Sequence, residues 1–346
     1  MNGMRQHCGT YKQGRKISMR YKKKRILTAM MAVCMMFSMI SAKKTAAAPA
    51  EFPAQFTAEA AAGQELDQVQ AAETYLGGAS LTMLAPQTDG QNMSFLLQTN
   101  QGEVIVIDGG LDQDADHLAQ AIQAMGGRVS AWLITHPHSD HVGALTNLLN
   151  RDPVPVQIDH IYCSFLTREQ YEKGDHMGRM SDYDNLMAAF SRVPSEKLHL
   201  SLTKGQKIKA DNAEITVMNE PFYTDYNTFN NSSIAYRIDI NGKRLMFLGD
   251  MGWEPGTRLI RMWDYKELKS DVVQMAHHGQ DGVEENLYQV LHPEICFWPT
   301  PGWLWDNMKN GVADAGSYKT MKTRAWMDRM GVVRNYVAKD GDLVLR

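Results

Sequence analysis

The chain has 346 residues, 44% of them apolar, with four cysteines and a formal net charge of −3. Length and apolar content suit one large α/β domain with its own core. The charge excludes a general basic field for a polyanion, and the cysteine count excludes a disulfide framework.

In chain order, the first feature is a targeting segment. Arg15, Lys16, Arg20, Lys22, Lys23, Lys24 and Arg25 precede an apolar run over 26–42, and Ala46, Ala47 and Ala48 offer a small-residue cleavage site. Residues 1–42 read as a secretory signal peptide. An uncleaved membrane anchor is the alternative, since the run is at the short limit for a span. Val33 before Cys34 argues against lipid attachment, which wants a small residue there. Residues 43–76 are rich in Ala, Gln and Glu with Pro49 and Pro53, and read as a flexible linker. The folded domain is expected over 77–346.

An apolar strand over 104–107 ends in Asp108, Gly109 and Gly110. A helix over 112–125 follows, stopped by Gly126 and Gly127. The next apolar run, 131–135, leads directly into His136-Pro137-His138-Ser139-Asp140-His141. Four metal-binding side chains fall within six positions. A helix cannot put all four on one face, but a loop leaving a strand can turn them toward one point. Imidazole with carboxylate suits zinc, manganese or iron. The segment 142–149 then has helical spacing, with Leu145, Leu148 and Leu149 on one side.

Further on, 234–240 alternates apolar and polar residues, Asn241-Gly242 marks a hairpin turn, and 243–248 runs into Gly249-Asp250. The apolar run 272–276 ends in His277-His278-Gly279. Continuous apolar runs are strands buried on both faces, so ionisable groups at their ends gather on one rim of a sheet. Helices over 283–291 and 318–330, strands over 294–298 and 332–338, and a hairpin-like end over 340–345 complete an alternating α/β pattern. Trp303 and Trp305 lie in a Pro-broken loop after the strand 294–298 and are candidates for stacking on a substrate group. Cys163 and Cys296, in apolar strand contexts, read as separate buried thiols.

The His-x-His-x-Asp-His loop, the strand-end Asp108, Gly249-Asp250 and the strand-end His pair together resemble the metallo-β-lactamase superfamily of hydrolases. Within it, Asn230-Asn231-Ser232-Ser233 and the His-His-Gly ending resemble the branch with the ComEC competence protein's extracellular domain and a secreted phosphorylcholine esterase. The resemblance covers roughly 78–346 and implies a four-layer αββα sandwich. It implies His136 and His138 on a first metal, Asp140 and His141 on a second, and Asp250 bridging them. His277 or His278 completes the second site; His277, at the strand terminus, is the expected ligand, and His278 the group facing the substrate. Asp108, Asn231 and Ser232 would orient the ligands. Many members carry another metal-binding His before the bridging Asp. Here Asn231 and Ser232 hold that place, and His160, His176 and His199 read as ordinary histidines, so the first site would be more open.

The implied cofactor is a pair of zinc ions, or manganese or iron, that activates a water. Asp140 would orient that water as well as bind metal. The favoured reading is an exported or cell-surface metal-dependent phosphodiesterase acting on nucleic acid or phosphorylcholine-type substrates, small or polymeric. The alternatives are a hydrolase of carbon esters, lactones or lactams, and a non-catalytic binding module. No partner protein is implied, and a membrane would be met only through an uncleaved N-terminal segment.

Overall fold

The computed structural model describes residues 75–346. The signal-peptide expectation and nearly all of the linker lie outside the described residues. In chain order the strands are β1 (Ser80–Met83), β2 (Ser94–Gln98), β3 (Val104–Asp108), β4 (Arg128–Val129), β5 (Ala131–Leu133), β6 (Gln157–Ile158), β7 (Ile161–Tyr162) and β8 (Leu198–His199). The second half supplies β9 (Lys207–Ala210), β10 (Ala213–Val217), β11 (Tyr236–Ile240), β12 (Lys243–Phe247), β13 (Val272–Gln274), β14 (Ile295–Trp298), β15 (Arg334–Val337) and β16 (Leu343–Leu345).

Two seven-stranded sheets result, ordered β16-β1-β2-β3-β5-β7-β8 and β15-β14-β13-β12-β11-β10-β9. Each is antiparallel on one side and parallel on the other: β3, β5, β7 and β8 run parallel, as do β12, β13, β14 and β15. In an α/β sheet, functional groups collect beyond the carboxyl ends of such strands. The expected hairpin at Asn241-Gly242 forms, both residues having positive φ. The C-terminus departs from expectation. β16 does not fold back on β15 but crosses to the other sheet and pairs antiparallel with β1, Leu81 opposite Leu345.

Alternation along the strands explains the layers. In β3, Ile105 and Ile107 point into the seam between the sheets, where Phe95 meets Phe247 and Phe297 edge-on at 5.3 and 5.8 Å. Val104 and Val106 point outward onto helices Ala115–Ala124 and Ser139–Asn150. On the other sheet, Met246, Val273 and Trp298 face helices Trp253–Met262, Glu285–Leu291 and Thr320–Met330. Helix, sheet, sheet and helix stack in that order, the four-layer αββα sandwich. Cys163 and Cys296 are buried thiols in opposite outer layers, so they cannot pair. Among the described residues, no helix is long and apolar enough to cross a membrane.

Candidate metal centre

β3 and β5 run parallel, Ile107 beside Leu133, so Asp108 and the loop after β5 emerge together. Asp108 has a left-handed φ of 55° and its carboxylate turns inward. Its Oδ1 accepts the Thr135 N–H at 2.8 Å, and its Oδ2 accepts the Thr135 hydroxyl at 2.7 Å. The same Oδ2 accepts His141 Nδ1–H at 2.7 Å. This fixes the His141 ring so that Nε2 faces Asp250 Oδ1 at 3.2 Å. A carboxylate behind a ligating imidazole sets its tautomer and orientation, the role expected for Asp108. Burial raises the Asp108 pKa, and His141 and Thr135 only partly oppose this.

The second half of the set comes from the other sheet. β12 ends in Gly249, with φ 57°, and Asp250, whose N–H donates to Ser233 Oγ at 3.1 Å. A Cβ on Gly249 would lie 2.7 Å from Thr135 Cβ, so only glycine lets the two loops approach this closely. Met275 and Ala276 follow β13, and His277 and His278 come next with φ 51° and 53°.

Two groups of donors converge: Asp140, His141, Asp250 and His278 in one, and His136, His138 and Asp250 in the other. Asp250 belongs to both, as a bridging carboxylate would. His277 is corrected as the expected ligand. His278 Nε2 lies 3.1 Å from Asp140 and 3.4 Å from Asp250, while its Nδ1–H donates to the Pro299 carbonyl at 2.8 Å. Two successive left-handed residues swing His278 inward. His277 is left on the other flank, its Nε2 3.8 Å from Asp250 and 3.2 Å from Asn230 Nδ2.

The charges of the cluster follow from burial and neighbours. Burial pushes His138 down to about 4 and holds His136 well below the usual imidazole range, keeping both neutral. Burial would also lower His141 and His278. The carboxylates outweigh it, raising His141 well above its usual value and His278 to about 9. Burial would raise Asp140 and Asp250, but the facing imidazoles hold both below the usual carboxylate range.

His141 Nε2, Asp250 Oδ1 and His278 Nε2 are buried and make no hydrogen bond. Buried polar atoms are rarely left without partners, and here the orphans all point at one spot. Together with the imidazole and carboxylate donor set, this fits two divalent cations of the zinc, manganese or iron type.

A cavity of about 690 Å³ opens over the cluster, lined by His138, Asp140, Asp250 and His277 among others. Asn231 lies on its wall and accepts the Gly252 N–H at 3.1 Å. Ser232 bonds Tyr171 Oη at 2.8 Å, one layer behind. The two tryptophans expected to meet substrate are not brought onto the cavity wall. Trp305 packs edge-on against Trp298 at 5.2 Å with the Arg324 guanidinium 4.0 Å above it. Trp303 donates to the Asp89 carbonyl at 2.7 Å and backs the ring of Tyr318, which does line the cavity. The loop winds into the short helix Gly302–Trp305, which folds both indoles back onto protein. His160 and His199 face each other at 3.2 Å on the edge of the first sheet, and His176 bonds the Asp225 carbonyl.

Several supporting groups were not named as site residues from sequence: Thr135 and Ser233 behind the ligands, Asn230 on His277, and Asp182, which accepts the Ser139 N–H at 3.0 Å. Thr135 precedes the His136–His141 motif, and Asn230 and Ser233 are the outer residues of the Asn230-Asn231-Ser232-Ser233 motif; Asp182 had no such hint.

The model of the metallo-beta-lactamase superfamily matches residues 87–287. The hydroxyacylglutathione hydrolase of Alkalilimnicola ehrlichii is 46% identical over 57 residues, 16% of this chain and 21% of that protein. The chain therefore matches about a fifth of that relative's length. Among solved structures, YhfI of Bacillus subtilis, a metallo-beta-lactamase fold protein, is 11% identical with a TM-score of 0.48 over 77% of this chain and 98% of that one. Zn²⁺-bound PqqB of Methylobacterium extorquens is 12% identical, TM-score 0.45, over 78% and 99%. A diphosphatase of the PhnP family is 14% identical, TM-score 0.44, over 78% and 97%. The matched segment is well over half of the chain and holds every donor of both groups; the protein belongs to the metallo-beta-lactamase superfamily of metal-dependent hydrolases.

Proposed function

We propose that this protein is an exported, two-metal phosphodiesterase. The observation that carries the reading is the shared Asp250 beneath an open cavity, with the first donor group only three residues strong: His136, His138 and Asp250. That leaves the first site an unfilled side toward His277 and Asn230, where a phosphoryl oxygen would fit. Arg179 on the wall adds positive charge suited to an anionic substrate. Divalent ions held in such a pair lower the pKa of water and stabilise charge on the reacting phosphoryl group.

The chain's own residues divide the remaining work. Asp140 faces the cavity, is 20% exposed at its side chain, and orients the attacking water by hydrogen bonding. His277, beside Asn230 and open to the cavity, is placed to donate a hydrogen bond to the leaving oxygen. One water adds across one P–O bond. Its oxygen joins phosphorus, the leaving oxygen departs with a proton, and a monoester and an alcohol result. Export is supported by the basic and apolar pattern over 1–42.

The test is hydrolysis of bis-p-nitrophenyl phosphate by the purified protein with Zn²⁺ or Mn²⁺, against a chelator control. Chelator-sensitive turnover is expected. The local likeness to a hydroxyacylglutathione hydrolase favours a second reading, a thioester or carbon-ester hydrolase. Turnover of p-nitrophenyl acetate with none of the phosphodiester would select it.

A further inference from the structure

Large apolar side chains exposed to solvent are not scattered evenly over the described surface. Met177 (68% exposed), Tyr226 (74%), Trp253 (56%) and Tyr318 (41%) all line the cavity above the donor cluster. A concentration of exposed apolar surface around a polar floor marks a binding site.

Two of these rings stand on backbone that one buried amide holds still. Asn231, 3% exposed, donates through Nδ2 to the Tyr226 carbonyl at 3.0 Å and to Thr224 Oγ1 at 3.0 Å. Its Oδ1 accepts the N–H of Gly252, the residue before Trp253. A Cβ on Gly252 would come within 2.3 Å of that oxygen, so the approach requires glycine. Asn231 thus ties both ring-bearing segments to the floor beside Asn230 and His277. Rings fixed in place before binding lose little freedom when a planar group stacks on them.

The surroundings narrow what that group belongs to. Among the basic residues of the cavity wall, Lys319 is bound to Asp281 at 2.5 Å, whereas Arg179 pairs with no carboxylate among the described residues. One unpaired cation suits a substrate with a single negative charge, not a long polyanion, which needs a track of cations. The adjoining apolar recess, beside His138 and Phe229, holds only about 100 Å³, too little for an acyl chain.

Resting on the phosphodiesterase reading above, we propose that the substrate is a small phosphodiester carrying a planar ring on its non-leaving side, with Tyr226 and Trp253 as the specificity-determining residues. The test compares thymidine 5′-(4-nitrophenyl phosphate) with methyl 4-nitrophenyl phosphate. Both break the same bond and release the same leaving group, so only the flanking group differs. The metal-loaded protein is expected to favour the thymidine ester by about 10-fold or more in kcat/KM, the scale of one stacked ring. Tyr226→Ala and Trp253→Ala each move that ratio toward one, chiefly through KM, and Trp253→Phe restores most of it. Equal kcat/KM for the two esters, or an unchanged ratio in both alanine variants, overturns the proposal. With octyl 4-nitrophenyl phosphate as a third ester, preference for it over the thymidine ester overturns the proposal in favour of an apolar chain. Failure to cleave any of these esters, by protein that still hydrolyses p-nitrophenyl acetate, overturns the phosphodiesterase reading itself and this inference with it.

Discussion

His278 reaches the donor cluster because the backbone turns left-handed at two successive non-glycine residues, His277 and His278. Such conformations are uncommon outside glycine and cluster at functional sites. They also explain why position at the strand terminus pointed to His277, while the donor group contains His278. Extending β13 by its own period puts the first His at the rim, but the chain has already left the strand. His278→Ala is expected to weaken binding of the second ion by roughly 100-fold or more, beyond the 10–100-fold typical of supporting residues. His277→Ala should leave that affinity within a few-fold while lowering turnover. Zinc titration against a chromogenic chelator separates the two, and equal losses of affinity would refute the assignment. The remaining donors were candidates from sequence because each sits at the end of an apolar run or within the six residues 136–141, though the expected loop is short and gives way to helix Ser139–Asn150. His136 and Asp250 follow β5 and β12, Asp140 and His141 stand in the first helical turn after β5, and Asp108 ends β3 behind His141.

Helix Ser139–Asn150 carries Asp140 and His141 in its first turn, and its N-cap residue, His138, makes no side-chain capping bond. The cap comes from another element: Asp182, in the first turn of helix Met180–Phe190, accepts the Ser139 N–H. Because the cap is distant in sequence, no local pattern announces it. Asp182→Ala should cost about 1 kcal/mol in urea unfolding, as lost caps do, and weaken metal binding about 10-fold by loosening the ligand-bearing turn. Asp182→Asn, whose amide oxygen still accepts, should recover most of both. A stability loss with unchanged metal affinity would make the cap purely structural. The helices were otherwise readable to within a few residues, as at 142–149 and 318–330, because their apolar faces keep a regular period. β1 and β2 were not, being short and distinguished only by their partners. The path of β16 was also hidden, since pairing with β1 is decided by the packing of two distant segments.

At the scale of the molecule, two sheets meet along a seam in which Phe95 bridges to Phe247 and Phe297. Phe95→Ala removes a fully buried ring from both interfaces and should cost about 3–5 kcal/mol, read as a lower urea midpoint. An unchanged midpoint would mean the sheets do not depend on this contact. Bound metal should stabilise the whole domain, by about 2.7 kcal/mol at a hundredfold excess over Kd. A chelator should therefore lower Tm, and added Zn²⁺ should restore it; a chelator-insensitive Tm would count against a site built between the sheets.

The donors are divided between the two halves of the chain, with His136, His138, Asp140 and His141 beside the first sheet and Asp250 and His278 beside the second. During synthesis the first four emerge as an incomplete chelate, and the carboxylate shared by both groups comes far later. Domains fold as their segments become available, so no cation is held by the full set until the second sheet closes on the first. A divalent cation held there would be retained only while the two sheets stay closed, so loss of metal and separation of the sheets are expected to go together.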